Sequence, residues 1–202
     1  MVAYQKANSF LSKVATQNDI DIAKKRALKA VDKIPYPKAH QSVILNKVKN
    51  DLNYAPIQDI PHFQLLPHSA AELNKIPEER IHDYLYHRYR YDIYPLTKKI
   101  DDYPPCLQIE PSSICNFRCV FCYQTDDELT KKINGHMGFM DFDLFKNIID
   151  QAEGNVEFVT LASRGEPTIH PKFNELMEYI RDKFIGLKIN TNASRLTEEK
   201  CH

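Results

Sequence analysis

In the first hundred residues the apolar positions recur near the helical period. Ile20, Ala23, Ala27, Ala30, Val31 and Ile34 share one face while Lys24, Lys25 and Lys29 point elsewhere, which predicts an amphipathic helix over 19–34. Pro35 and Pro37 end it, since proline lacks the N–H that a continuing helix needs. Val43, Ile44, Val48 and Leu52 predict a second helix that stops before Pro56. Pro56, Pro61 and Pro67 then break 55–68 into an extended connector. Ser69 and Glu72 have the spacing of a capping box for a short helix. Pro77, followed by Glu78 and Glu79, opens another helix with Ile81, Leu85 and Tyr89 on one face.

From Cys106 the pattern changes to alternating strand and helix. Leu107-Gln108-Ile109 reads as a short strand, and the polar stretch from Asp126 to Gly135 reads as a solvated loop. Asp141 caps a helix with Phe145, Ile148, Ile149 and Ala152 inward and Gly154 as its stop. Residues 156–161 form the second predicted strand. Pro171 starts the next helix, with Phe173, Leu176, Met177 and Ile180 inward and Gly186 as its terminator, and 187–190 form the third strand. Short connections in this order predict parallel strands joined by right-handed crossovers. Ligands of such sheets bind at the carboxyl ends of the strands. A cysteine-rich loop, Ser163-Arg164-Gly165-Glu166-Pro167 and Thr191-Asn192 all fall at that rim. Thr197-Glu198-Glu199 reads as the first turn of a further helix, which Cys201 and His202 end without a cap.

Length and composition narrow the classes. The 202 residues suit one domain, or one with an appendage, and an apolar fraction of 43% is enough for a globular core. Basic and acidic residues number 27 each, so no global field points to nucleic acid or a membrane surface. The excess of ten Lys and Arg over three Asp in residues 1–50 reads as a solvated helical surface. Tyr84, Tyr86, His87, Arg88, Tyr89, Arg90, Tyr91 and Tyr94 form an aromatic and basic stretch that can stack on single-stranded bases. The favoured reading is that these amphipathic side chains pack their helix against the domain that follows. The start of the sequence lacks the pattern of a signal peptide, and no apolar run reaches membrane-spanning length. Five cysteines, three of them clustered, favour metal binding in a reducing compartment over a disulfide framework, so the expected location is cytoplasmic.

That cluster is Cys115-Asn116-Phe117-Arg118-Cys119-Val120-Phe121-Cys122. Thiolates at short fixed separations suit a soft metal or an iron–sulfur cluster, and three ligands to four irons leave one iron open. A helix would instead place these cysteines on an apolar stripe, but Pro111, Ser112, Ser113 and Asn116 favour a loop. A structural zinc needs a fourth ligand, for which Cys106 and His136 are the candidates, neither at a paired ribbon or finger spacing.

Cys-x3-Cys-x2-Cys with an aromatic before the third cysteine resembles the radical S-adenosylmethionine (SAM) enzymes. Gly165-Glu166-Pro167 looks like the family's Gly-Gly-Glu-Pro motif, with Arg164 in place of the first glycine, and Asn190-Thr191-Asn192-Ala193 resembles its Thr-Asn-Gly. The resemblance spans about residues 106–195. It implies that Cys115, Cys119 and Cys122 hold a [4Fe–4S] cluster whose fourth iron is chelated by SAM. It further implies that Phe121 lies against the adenine, that Gly165 and Glu166 hold the SAM ammonium, and that Asn192 faces the same pocket. A flavodoxin or ferredoxin would supply the electron, and the 5′-deoxyadenosyl radical released from SAM would take hydrogen from an unidentified substrate. His170 reads as a residue at a helix start, ahead of a catalytic role, and no catalytic residue is assigned.

The expected fold is therefore α/β, a partial (βα)6 TIM-like barrel with about three βα units, over 104–202, stopping short of the family's six. A mostly α-helical region, 1–103, of open role precedes it. The alternative is a non-catalytic iron–sulfur or zinc-binding protein with an N-terminal interaction module.

Overall fold

The computed structural model describes residues 15–33, 39–54, 60–162 and 164–198. Ile34, Pro35, Pro37, Pro56, Ser163, Glu199, Cys201 and His202, used above, lie outside those residues, as do the first fourteen. The chain forms two compact units, Met1–Asp101 and Asp102–His202.

The first unit packs four helices, α1 (Gln17–Val31), α2 (Ala39–Asn53), α3 (Pro67–Leu73) and α4 (Ile81–Thr97). Thr16 starts α1 through a capping box with Asp19, and Ala23, Ala27, Ala30 and Val31 are buried as the periodicity predicts. In α2 the buried set is Ile44, Leu45, Val48 and Leu52, while Val43 is exposed. The correction is one of register: successive helical residues are about 100° apart, so a face holding 44, 48 and 52 takes in 45 and turns 43 outward. The capping box expected at Ser69 and Glu72 does not form. Pro67 at the first turn starts α3 three residues earlier, Ser69 Oγ donates to Leu66 O (2.9 Å), and Glu72 accepts from Tyr84 Oη (2.7 Å). Pro77 leads into a 3₁₀ turn, Glu78–Arg80, before α4 begins.

The aromatic and basic stretch lies on α4. Tyr84, Tyr86, His87, Tyr89, Arg90 and Tyr94 are buried, whereas Tyr91 is half exposed. Arg90 ion-pairs with Asp101 (2.7 Å) and lies over the Tyr86 ring, and Phe63 packs by Tyr89. Burial of these rings removes them as a stacking platform for bases. The partners named here belong to the same helical unit.

The second unit is α/β. Three four-residue strands, β1 (Cys106–Ile109), β2 (Phe158–Leu161) and β3 (Gly186–Ile189), pair in parallel in the order β1-β2-β3. The register aligns Gln108 with Thr160 and Thr160 with Lys188. The segment expected as a loop carries a 3₁₀ turn (Tyr123–Thr125), a short helix α5 (Asp127–Thr130) capped by Asp126, and a second 3₁₀ turn (Lys132–Asn134). Helices α6 (Phe142–Ala152) and α7 (Phe173–Ile180) connect the strands. The Asp141 carboxylate accepts from the N–H groups of Asp143 and Leu144, as its capping position predicts.

The core brings Phe145 and Ile149 of α6 and Leu176 and Ile180 of α7 onto Ile109, Val159 and Leu161 of the sheet. Burial of each such side chain stabilises the fold by about 1.5–3 kcal/mol. Gly186 does not terminate α7, which ends at Ile180; it opens β3. A Cβ there would stand 2.3 Å from the Phe158 ring, so its missing side chain is a packing requirement between paired strands. The opposite sheet face carries the polar row Gln108, Thr160 and Lys188, of which Gln108 and Lys188 are exposed. Among the described residues, no helix is long and apolar enough to cross a membrane.

Candidate functional site

Parallel strands put three loops at one rim: residues 110–125 after β1, 162–167 after β2 and 190–194 after β3. Hydrogen bonds fasten them together. Glu166 N donates to Ile114 O (2.9 Å), just ahead of Cys115. The close approach requires glycine at 165, because a Cβ there would meet Ser112 O at 1.9 Å and Ile114 O at 2.7 Å. Segment 138–140 runs beside the start of the cysteine loop, through Ser113 N to Gly138 O (3.0 Å) and Met140 N to Pro111 O (2.9 Å).

Glu166 is 2% exposed and binds more of the chain itself than its sequence context suggested. Its Oε1 accepts from Thr168 N (3.0 Å), Thr168 Oγ1 (2.6 Å) and Thr191 Oγ1 (2.6 Å), and its Oε2 from Asn192 N (2.6 Å). One carboxylate thus ties the β2 loop to the β3 loop. Burial by itself pushes its pKa up, but the hydroxyls of Thr168 and Thr191 and the N–H groups of Asn192 and Thr168 outweigh burial and hold the carboxyl below its usual value. A depressed folded pKa means that the stabilisation is complete above the unfolded value, 4.5, and is lost as pH falls through the folded one. Urea unfolding of Glu166→Gln should therefore show a flatter loss of stability below about pH 4.5 than the native protein, with a deficit of about 2–3 kcal/mol at neutral pH. Parallel pH profiles for the two proteins would contradict this account.

The cysteine loop is open. Cys115, Cys119 and Cys122 are free and partly exposed, and a tight turn closes Cys122 N on Cys119 O (2.8 Å). Phe121 is 90% exposed and Val120 is exposed beside it. The Cys115 sulfur accepts from Phe117 N (3.4 Å) and from Asn192 Nδ2 (3.7 Å). Among the described residues, no three His, Cys, Asp or Glu side chains gather as a single bound ion needs. Cys106 opens β1, about 10 Å of strand from the rim, and does not supply a fourth ligand there.

Several rim residues are inconspicuous in the sequence. Glu110, one residue beyond β1, accepts from Arg164 N (2.9 Å) and Nη2 (2.9 Å), so the arginine at the glycine position is held by a charge-assisted fork. Arg164 is not among the residues with left-handed backbone, whereas Ala193, at its own glycine position, has φ 62°. Gln124 is buried, and its Nε2 donates to Ser113 O (2.7 Å) and Arg164 O (3.1 Å). No charge run or spacing marks these contacts; a polar residue just past a strand was the single available signal. His170 takes the structural part expected of it. Its Nε2 donates to Met140 O (2.9 Å) and its Nδ1 accepts from Lys172 N (3.0 Å) at the start of α7.

The residues present fit a thiolate-bound cluster with a small polar ligand. Three thiols stand on one open loop, one of them already receives two N–H donors, and Gln124 Oε1 is a buried acceptor with no partner among the described residues. Residues 109–202, the C-terminal part of the chain, match the Radical SAM superfamily.

Among its relatives is the tungsten-containing aldehyde ferredoxin oxidoreductase cofactor-modifying protein of Pyrococcus furiosus. It is 35% identical over 95 residues, which are 46% of this chain and 25% of that protein. The mycofactocin maturase MftC of Mycobacterium tuberculosis is 35% identical over 98 residues, 48% of this chain and 24% of that protein. The matched region thus spans about a quarter of the length of these curated relatives. A solved structure of BtrN in complex with AdoMet and 2-DOIA superposes with a TM-score of 0.39 at 24% identity, covering 50% of this chain and 41% of that one, too distant to inform the site.

Proposed function

We propose that residues 104–202 are the first part of a radical SAM barrel and that the protein is a radical SAM enzyme. The observation that carries this reading is the fastening of the cysteine loop to both other rim loops, through Glu166 N to Ile114 O and Asn192 Nδ2 to Cys115 Sγ. Three separate sequence motifs meet where a parallel sheet binds its ligands. The sheet also supports the barrel: one face lies under α6 and α7, and the polar row Gln108, Thr160 and Lys188 suits the inner wall of a larger closed sheet.

Cys115, Cys119 and Cys122 would hold a [4Fe–4S] cluster as thiolates. When bound, the reduced cluster would supply the one electron that cleaves the sulfonium C–S bond of SAM into methionine and a 5′-deoxyadenosyl radical, which would abstract hydrogen from the substrate. The chain's part is to bind and orient. Gly165 lets the backbone come close, and Glu166 Oε2, which among the described residues accepts from Asn192 N alone, keeps capacity for an ammonium donor. Phe121, now exposed, would cover the adenine, and Asn192 would border the same pocket. Glu166 also keeps the rim in one arrangement, so its loss would disturb both roles at once. A flavodoxin or ferredoxin is the expected electron donor, consistent with a cytoplasmic location. The helical region 1–103 would be an accessory to this core. The names of the two relatives, a cofactor-modifying protein and a maturase, favour a substrate that is being matured, such as a peptide or a cofactor precursor.

Anaerobic reconstitution with iron and sulfide, followed by dithionite and SAM, tests the reading. The expected result is a brown protein that bleaches in air and forms 5′-deoxyadenosine. A colourless protein that retains one zinc per chain would replace it with the metal-binding alternative.

A further inference from the structure

Asn192 is placed more firmly than a pocket-lining residue needs. Its N–H donates to Glu166 Oε2 (2.6 Å), and the next residue, Ala193, turns through a left-handed conformation with its N–H on Thr191 Oγ1 (3.0 Å). The side-chain amide then has only one sensible orientation. Ser194 N donates to Asn192 Oδ1 (2.9 Å), so the oxygen must face that N–H and the NH₂ group must face the cysteine loop. Both amide hydrogens are used there, one toward Asn116 Oδ1 (3.1 Å) and one toward Cys115 Sγ (3.7 Å). Asn116 Nδ2 closes the ring by donating to Ser194 Oγ (2.8 Å).

We propose that the Asn192 carboxamide donates a hydrogen bond to the Cys115 sulfur in the cluster-loaded protein and raises the reduction potential of the cluster. The proposal rests on the radical SAM reading and deepens it: Asn192 acts through the cluster ligand rather than on the substrate. An N–H on a ligand sulfur draws negative charge away from the iron, which favours the state carrying the extra electron. Phe117 N also reaches this sulfur, but a backbone donor within the loop survives any side-chain change. The donor from Asn192 comes from another strand's loop and depends on its side chain. The carboxylate of Glu166 therefore contributes indirectly, by holding the backbone that aims the amide.

The test is potentiometry of the reconstituted cluster, followed by electron paramagnetic resonance without SAM, on the native protein and on Asn192→Ala, Asn192→Leu and Asn116→Ala. Both Asn192 variants should have a more negative midpoint than the native protein. Asn116→Ala removes a partner of the same amide but leaves the sulfur contact, and its midpoint should stay at the native value. Two Asn192 replacements are used so that either one that assembles decides the result. A native midpoint in the Asn192 variants overturns the proposal, as does an equal shift in Asn116→Ala, which would mark loosening of the loop. If the native protein binds iron as a cluster and only these shifts are missing, the proposal alone falls; if it assembles no cluster, the radical SAM reading falls and takes the proposal with it.

Discussion

Cys119→Ala is expected to reduce the iron retained after reconstitution from about four atoms per chain to a small fraction of that, with loss of the brown colour. Cys119 is the middle cysteine of the loop, and its carbonyl accepts the N–H of Cys122 in the turn that sets their spacing. Alanine preserves that backbone bond, so the variant removes a sulfur without unmaking the turn. Two thiolates, Cys115 and Cys122, then have to hold a four-iron core, for which they are too few. Cys106→Ala is the control, because Cys106 opens β1 away from the rim and its sulfur lies near Thr160 Oγ1 (4.0 Å). That variant should keep its full iron. Equal iron in both variants, or an equal loss, would show that the triplet is not the cluster site.

Gly165→Ala is expected to destabilise the protein by about 3 kcal/mol, near the upper end of what overpacking ordinarily costs. The added methyl would stand 1.9 Å from Ser112 O, 2.5 Å from Ser112 C and 2.7 Å from Ile114 O. All three are backbone atoms, which cannot rotate aside as the end of a long side chain can. Relief has to come from separating the β1 and β2 loops, and that breaks the bond from Glu166 N to Ile114 O and strains the Gln124 bridge to Ser113 and Arg164. Gly138→Ala offers the comparison, since nothing lies within 4 Å of a Cβ built there. Urea unfolding should place Gly138→Ala close to the native protein and Gly165→Ala well below it. Similar midpoints for the two variants would mean that the rim loops do not approach as closely as described.

Local signals carried a good part of this structure. Asp141 was legible as a cap because its carboxylate acts on N–H groups two and three residues ahead, a relation written within the sequence itself. The same holds for the inward faces of α1, α6 and α7, whose period of 3.6 depends on the helix alone. Where a choice depended on something distant, the local signal misled. Val43 looked as apolar as Leu45, and only the neighbours of α2 decide which of them is covered. Gly186 looked like a helix stop, yet its role is set by the Phe158 ring on the paired strand.

The candidate site divides in the same way. The spacing of Cys115, Cys119 and Cys122 lies within eight residues, so the cysteine loop was legible in the sequence and, through strand and helix alternation, so was its place beside the Gly-Glu-Pro and Thr-Asn loops. What the sequence could not contain was the partner of each polar group across the rim. Glu166 with Thr191 and Asn192, Arg164 with Glu110, and Asn192 with Cys115 join residues 25 to 77 positions apart. A hydrogen bond forms over about 3 Å and is blind to chain separation. Tertiary structure alone brings those atoms within reach, and it alone turned Glu166 from a carboxylate beside a ligand into the tie that also holds the rim together.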